Sequence, residues 1–73
     1  MTTEARELSG TTQACLAAVK TFVNEYNYSP SVRDIAKAVG RSTSVAYTHL
    51  RRLRQHGWIT FDDRLARSIR VLK

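Results

Sequence analysis

SVRDIAKAVGRSTSVAYTHLRR, residues 31–52, holds two helical patterns separated by one glycine and one arginine. Pro30, just before it, drives Ser29 out of helical geometry and leaves Ser31 placed to cap. Asp34, three residues on, is the reciprocal partner of a capping box and an anion at the positive end of a helix. Pro30 and Ile35 hold the hydrophobic-staple positions. Ile35, Ala36 and Val39 then face a core, and Gly40 can take the left-handed conformation that stops a helix. The spacing therefore predicts a short helix over 32–39. Only Arg41 intervenes before Ser42, another capping residue, and a further helix is predicted from there to Gln55 or His56, with Gly57 ending it. Two helices joined by so short a glycine-containing turn must cross steeply, which is helix-turn-helix geometry. Ala36, four residues before Gly40, is small enough to let them approach closely.

Upstream, Ser9 or Thr11 can cap a first helix in which Cys15, Leu16, Val19, Phe22, Val23 and Tyr26 recur at the spacing of one apolar face. It should end near Asn27. The opposite face (Gln13, Ala17, Lys20, Thr21, Asn24) is nearly neutral and reads as scaffold. Residues 1–8 are polar and unpatterned, a flexible tail before a domain spanning 9–73. Downstream, Trp58, Ile59, Thr60 and Phe61 favour a strand, the stretch DDRLA at 62–66 breaks it, and Ile69, Val71 and Leu72 resume it. The economical reading is a β-hairpin with Arg64, Arg67 and Arg70 exposed. The fold class is thus mainly α, three helices plus a two-stranded hairpin.

Seventy-three residues make one domain at most, near the lower limit for a core without disulfides or metal. No apolar run approaches the roughly 18 residues of a membrane span, and the N-terminus lacks the basic-then-apolar order of a signal peptide. A cytoplasmic location is expected. The single cysteine, Cys15, reads as a buried small hydrophobe, and no Cys/His cluster has metal-ligand spacing. No nucleophile–base pair, paired carboxylates or phosphate-binding glycine loop is present, so neither an enzyme nor a cofactor, metal or small-molecule ligand is expected. The charge is uneven. Over residues 1–30, two basic side chains against three acids leave −1; over 31–73, ten against three leave +7. Any surface that faces a polyanion lies in the C-terminal part.

At about 100° per residue, Ala46, Leu50, Leu53 and His49 fall on the core side of the helix that starts at Ser42. His49 borders that core and reads as structural. Ser44, Thr48, Arg51 and Gln55 lie opposite, with Val45 and Arg52 flanking on one side and Tyr47 on the other. No acid occurs from 41 to 61. A polar face of one charge sign, entered through a steep helical turn, suits the major groove of DNA. Residues near the start of such a helix meet base edges and later arginines meet phosphates. That makes Ser44, Val45, Tyr47 and Thr48 base-reading candidates. Packing against the hairpin or the first helix is an equal alternative for Tyr47. Arg51, Arg52 and Arg54 are backbone candidates, Arg54 being the most readily explained as merely solvated. Arg33, at the start of the short helix, and Arg41, in the turn, complete the cationic set.

Over residues 8–72 the chain resembles the N-terminal DNA-binding domain of the LexA repressor family. The resemblance rests on LS at 8–9, YSPSVRDIA at 28–36, Gly40, His49-Leu50, Leu53, GWI at 57–59 and ARSIRVL at 66–72. It implies a winged helix-turn-helix that binds palindromic double-stranded operators as a dimer and represses transcription. By position it adds Ser42 to the base-contacting segment with Ser44, Val45, Tyr47 and Thr48, and it brings Arg64 and Arg67 of the wing to the backbone or minor groove. The turn from Gly40 is one residue shorter than the Gly-x-x-Ser-Pro common in the family. The wing also lacks the glycine often found there, and the family's self-cleaving peptidase domain, with its Ser/Lys dyad, has no counterpart before Lys73.

The expected function is a stand-alone sequence-specific regulator of phage or mobile-element type, a weak or DNA-assisted homodimer on its operator. Two alternatives stay open. One is a protein-interaction winged helix acting on another regulator, for which Tyr28, Tyr47 and Leu65 offer the apolar candidates. The other is the DNA-binding fragment of a longer LexA-like repressor.

Overall fold

The computed structural model describes residues 10–72 as three helices followed by a two-stranded antiparallel sheet. Helix α1 spans Gly10–Tyr26, α2 spans Val32–Val39 and α3 spans Thr43–Gln55; strands β1 and β2 are Ile59–Thr60 and Arg70–Val71. The proposed tail at 1–8 and the proposed cap Ser9 lie outside the described residues. Thr11 is inside the first turn of α1 and so does not cap it.

The elements end where local hydrogen bonds make continuation unfavourable. Asn27 adopts φ 61° and its N–H returns to the Val23 carbonyl, the left-handed stop that asparagine tolerates better than most residues. At α2 the capping box forms in full. The Asp34 N–H donates to Ser31 Oγ at 3.1 Å, and the Ser31 N–H donates to Asp34 Oδ2 at 3.0 Å. Pro30 and Ile35 are both buried beside it. Gly40 takes φ 69°, and the N–H groups of Gly40 and Arg41 return to the Lys37 and Ala36 carbonyls, closing a Schellman motif. The same pattern recurs at Gly57 (φ 79°), where Gly57 and Trp58 bond back to Arg54 and Leu53.

The core is shared among the three helices and the wing: Cys15, Leu16 and Val19 from α1, Ile35 from α2, Leu50 and Leu53 from α3, with Trp58, Ile59, Phe61 and Ile69 from the wing. Ala36 and Ala46 are buried at the crossings. Thr12, also buried, places Oγ1 2.8 Å from Nδ1 of half-buried His49, so this histidine ties α3 to α1.

Two expectations are corrected here. The last turn of α1 does not continue the apolar face into the core. Tyr26 is 51% exposed, and Phe22, Tyr26 and Tyr28 form a partly exposed aromatic cluster with centroids 4.5–6.0 Å apart. The strands are also shorter than their β-forming residues suggest, pairing only Ile59 with Val71 and Thr60 with Arg70. Phe61 and Ile69 turn into the core instead, and the Ile69 N–H is taken by Ser29 Oγ at 2.9 Å, so it is lost to the ladder. Ser68 closes the intervening loop: its hydroxyl accepts from the Asp62 N–H at 2.8 Å and lies against the Asp62 and Leu65 carbonyls.

Candidate nucleic-acid interface

Because Ala46, Leu50 and Leu53 are fully buried, the opposite side of α3 is obliged to face solvent. Ser42 is the N-cap, its Oγ accepting from the Val45 N–H at 3.2 Å. The Thr48 hydroxyl donates to the Ser44 carbonyl one turn back at 3.0 Å, which fixes its proton and leaves its lone pairs outward. Ser44, Val45 and Thr48 therefore form an exposed row of short side chains, two hydroxyls and a branched methyl pair, over the first two turns of the helix. Arg51 and Arg52 continue this face as exposed cations, and with Thr48, Arg54 and Gln55 they line a shallow cleft. Arg41 stands exposed in the turn, and Arg33 is exposed on α2. Among the described residues, none of Arg33, Arg41, Arg51 and Arg52 is paired with a carboxylate.

Three of the other predicted side chains, Tyr47, Arg54 and Arg67, are engaged in contacts within the molecule. Tyr47 is half-buried; its hydroxyl donates to Asp63 Oδ1 at 2.7 Å and its ring stands edge-on to Phe61 at 6.1 Å, so it packs toward the wing. Arg54 is not merely solvated. Its guanidinium lies 4.1 Å from the Phe61 ring centroid, and Nη1 donates to the Phe61 carbonyl at 3.0 Å and to Asp63 Oδ1 at 3.3 Å. Arg67 reaches across to α2, where Nη1 donates to Asp34 Oδ2 at 2.8 Å and to the Ser29 carbonyl at 3.0 Å, with the guanidinium over Tyr28. Arg64, at the wing tip, stays 90% exposed despite the Asp62 carboxylate 3.6 Å away.

The wing is thus fastened on two sides, and the two carboxylates that fasten it are held ionised. Donation from the Tyr47 hydroxyl, then from Arg54, keeps the Asp63 carboxyl below the ordinary carboxylate range, and the same contact raises the Tyr47 phenol. At Asp34 the backbone N–H of Ser31 is the chief cause of a lowered pKa, ahead of Arg67. Sequence reasoning identified Asp34 as a cap and missed its second role; Asp63 it missed altogether. No local spacing announces a bond between residues 16 positions apart.

A short two-helix turn through Gly40 and Arg41, a cationic second helix and a two-stranded wing packed against it define a winged helix-turn-helix domain of the DNA-binding class. The family model of the LexA DNA-binding domain matches residues 5–68, and this chain belongs to that family. The family is defined by DNA binding and not by catalysis. LexA repressors of Alkaliphilus oremlandii and Moorella thermoacetica are 40% and 37% identical over 67 residues; each alignment takes in 90% of this chain and about a third (32% and 33%) of the relative. The LexA repressor of Clostridium botulinum is 44% identical over 55 residues, 74% of this chain and 27% of that protein. The chain therefore spans about a third of the length of these relatives. Among the described residues no helix is long and apolar enough to cross a membrane.

Proposed function

We propose that this chain is a sequence-specific double-stranded DNA-binding module that represses transcription, with α3 in the major groove. The observation that carries the reading is the row Ser44, Val45 and Thr48 running into exposed Arg51 and Arg52 with no acid on that face, in a domain of the LexA DNA-binding family. The Ser44 hydroxyl can accept from or donate to base edges, the Thr48 hydroxyl, its proton held by the Ser44 carbonyl, can accept from them, and Val45, 40% exposed, can pack on a thymine methyl. Arg41, Arg51 and Arg52 hold phosphates and set the register of the helix, while Arg33 and Arg64 add only general attraction at the periphery. Ser42 acts chiefly by aiming the helix start, and Tyr47, Arg54 and Arg67 by holding the wing.

One such helix reads only a few base pairs, so useful affinity calls for two copies on a palindromic operator, paired weakly or only on DNA, in the cytoplasm. Selection of bound duplexes from a random pool tests this. A two-fold repeated motif with fixed half-site spacing is expected; recovery of unenriched sequence would remove sequence reading, and a single unrepeated half-site would remove the dimer.

A further inference from the structure

Asp63 stands against α3, a helix that itself carries no acidic side chain. Its Oδ1 receives two donors from α3, the Tyr47 hydroxyl at 2.7 Å and Arg54 Nη1 at 3.3 Å. Tyr47 and Arg54 are seven residues apart, two turns along one side of the helix, which is about 10 Å of axis. A single carboxylate that engages both ends of such a span fixes the wing against sliding along α3 and against swinging away from it. Arg54 gains a second anchor from the Phe61 carbonyl at 3.0 Å, just before the turn that carries Asp63.

The arrangement has an electrostatic cost. Non-specific DNA binding is governed by phosphate charge, whereas discrimination depends on how well side chains are placed against base edges. Asp63 opposes the first by presenting a carboxylate to phosphates and by occupying an arginine that could otherwise reach them. It serves the second by holding wing and helix in one relative position. We infer that Asp63 is a specificity-determining residue of this domain, acting through Tyr47 and Arg54, and that Tyr47 is its positioning partner and not a base reader. This rests on the DNA-reading function proposed above.

The test compares affinities for a selected duplex and for a random duplex of the same length. Asp63→Ala removes a repelling charge and releases Arg54, so binding to random DNA tightens by roughly two- to fivefold and the salt dependence steepens by up to about one phosphate contact. Affinity for the selected duplex rises less or falls, and the ratio of the two therefore drops. Tyr47→Phe leaves random binding unchanged and lowers the ratio; the double variant lowers it no further than Asp63→Ala alone, as expected of partners in one contact. Asp63→Asn, which keeps an acceptor for Tyr47 but no charge for Arg54, falls between. Glu25→Gln makes the same change in net charge on α1 and shifts both affinities by a common factor.

Three results would overturn the inference: Asp63→Ala moving both affinities equally, as Glu25→Gln does; the Tyr47 and Asp63 effects adding in full; or Tyr47→Phe changing the preferred base at one operator position. Circular dichroism melting confirms that each variant compared is folded, and Asp63→Asn serves if the alanine is not. Failure of the wild type itself to prefer any duplex would remove the DNA-reading function and this inference with it. Discrimination by the wild type that Asp63→Ala and Asp63→Asn leave intact removes the inference alone.

Discussion

The arginines of this domain divide into those with an internal carboxylate and those without, and the division predicts which of them DNA will feel. Arg54 and Arg67 lie 3.3 and 2.8 Å from Asp63 and Asp34; Arg41, Arg51 and Arg52 have no acidic partner among the described residues and lie at or along the exposed side of α3. If each of these three neutralises one phosphate, log affinity should fall against log salt with a slope of about −2.7 per domain, at about 0.9 per contact. Raising salt from about 50 to about 200 mM then weakens binding roughly 40-fold. Arg51→Ala or Arg52→Ala each removes about 0.9 from the slope, and the double variant loses only about 3- to 4-fold over the same range. Arg67→Ala should leave the slope almost unchanged, because the guanidinium it removes is already neutralised by Asp34. Two domains on one operator double each slope and preserve the ranking. Fluorescence anisotropy of a labelled duplex across a salt series measures all of this. An Arg51→Ala slope equal to wild type, or an Arg67→Ala slope reduced as much as that of Arg51→Ala, would refute the division.

Four further outcomes concern the fold. Ser31→Ala removes the hydroxyl that caps α2 and should cost about 1 kcal/mol in urea unfolding. Asp34 has a depressed pKa in the folded state, so its stabilisation is complete above the unfolded carboxylate value of about 3.9 and is lost as pH falls through the lower folded value; Asp34→Asn should lack that acid limb in a stability–pH profile. Gly40→Ala meets no atom within 4 Å, so its cost is only that of a side chain at φ 69°, roughly 1–2 kcal/mol by thermal melting. Leu53→Ala opens a cavity where α3 meets the wing and should cost roughly 2–5 kcal/mol, enough to leave a domain of this size largely unfolded on warming.

The LexA-like reading made from scattered landmarks agrees with the family match, and the helix-turn-helix it depends on was legible for a definite reason. Ser31, Asp34, Gly40, Ser42 and Gly57 act through bonds that close within five residues, so their meaning is contained in their spacing. The core side of α3 was legible too, because helical periodicity alone separates Leu50 and Leu53 from Ser44 and Thr48. Periodicity failed at Tyr26, which continues the apolar pattern of α1 but is left half-exposed beside Phe22 and Tyr28. It also overstated the strands, since β-forming Phe61 and Ile69 serve the core and Ile69 gives its N–H to Ser29, 40 residues away.

What the sequence determined by itself is therefore the set of elements and the face of α3 that looks outward, since both follow from local hydrogen bonding and the repeat of the helix. Tertiary structure alone decided which cations on that face are available to a phosphate. Arg54 and Arg67 read like their neighbours along the chain and differ only in having Asp63 and Asp34 brought to them, over 9 and 33 residues, by the return of the wing onto the helices. The same return turns Tyr47 from the outward face toward Asp63. A charge count sees six arginines between 41 and 67, whereas the folded chain places a carboxylate within 3.6 Å of three of them.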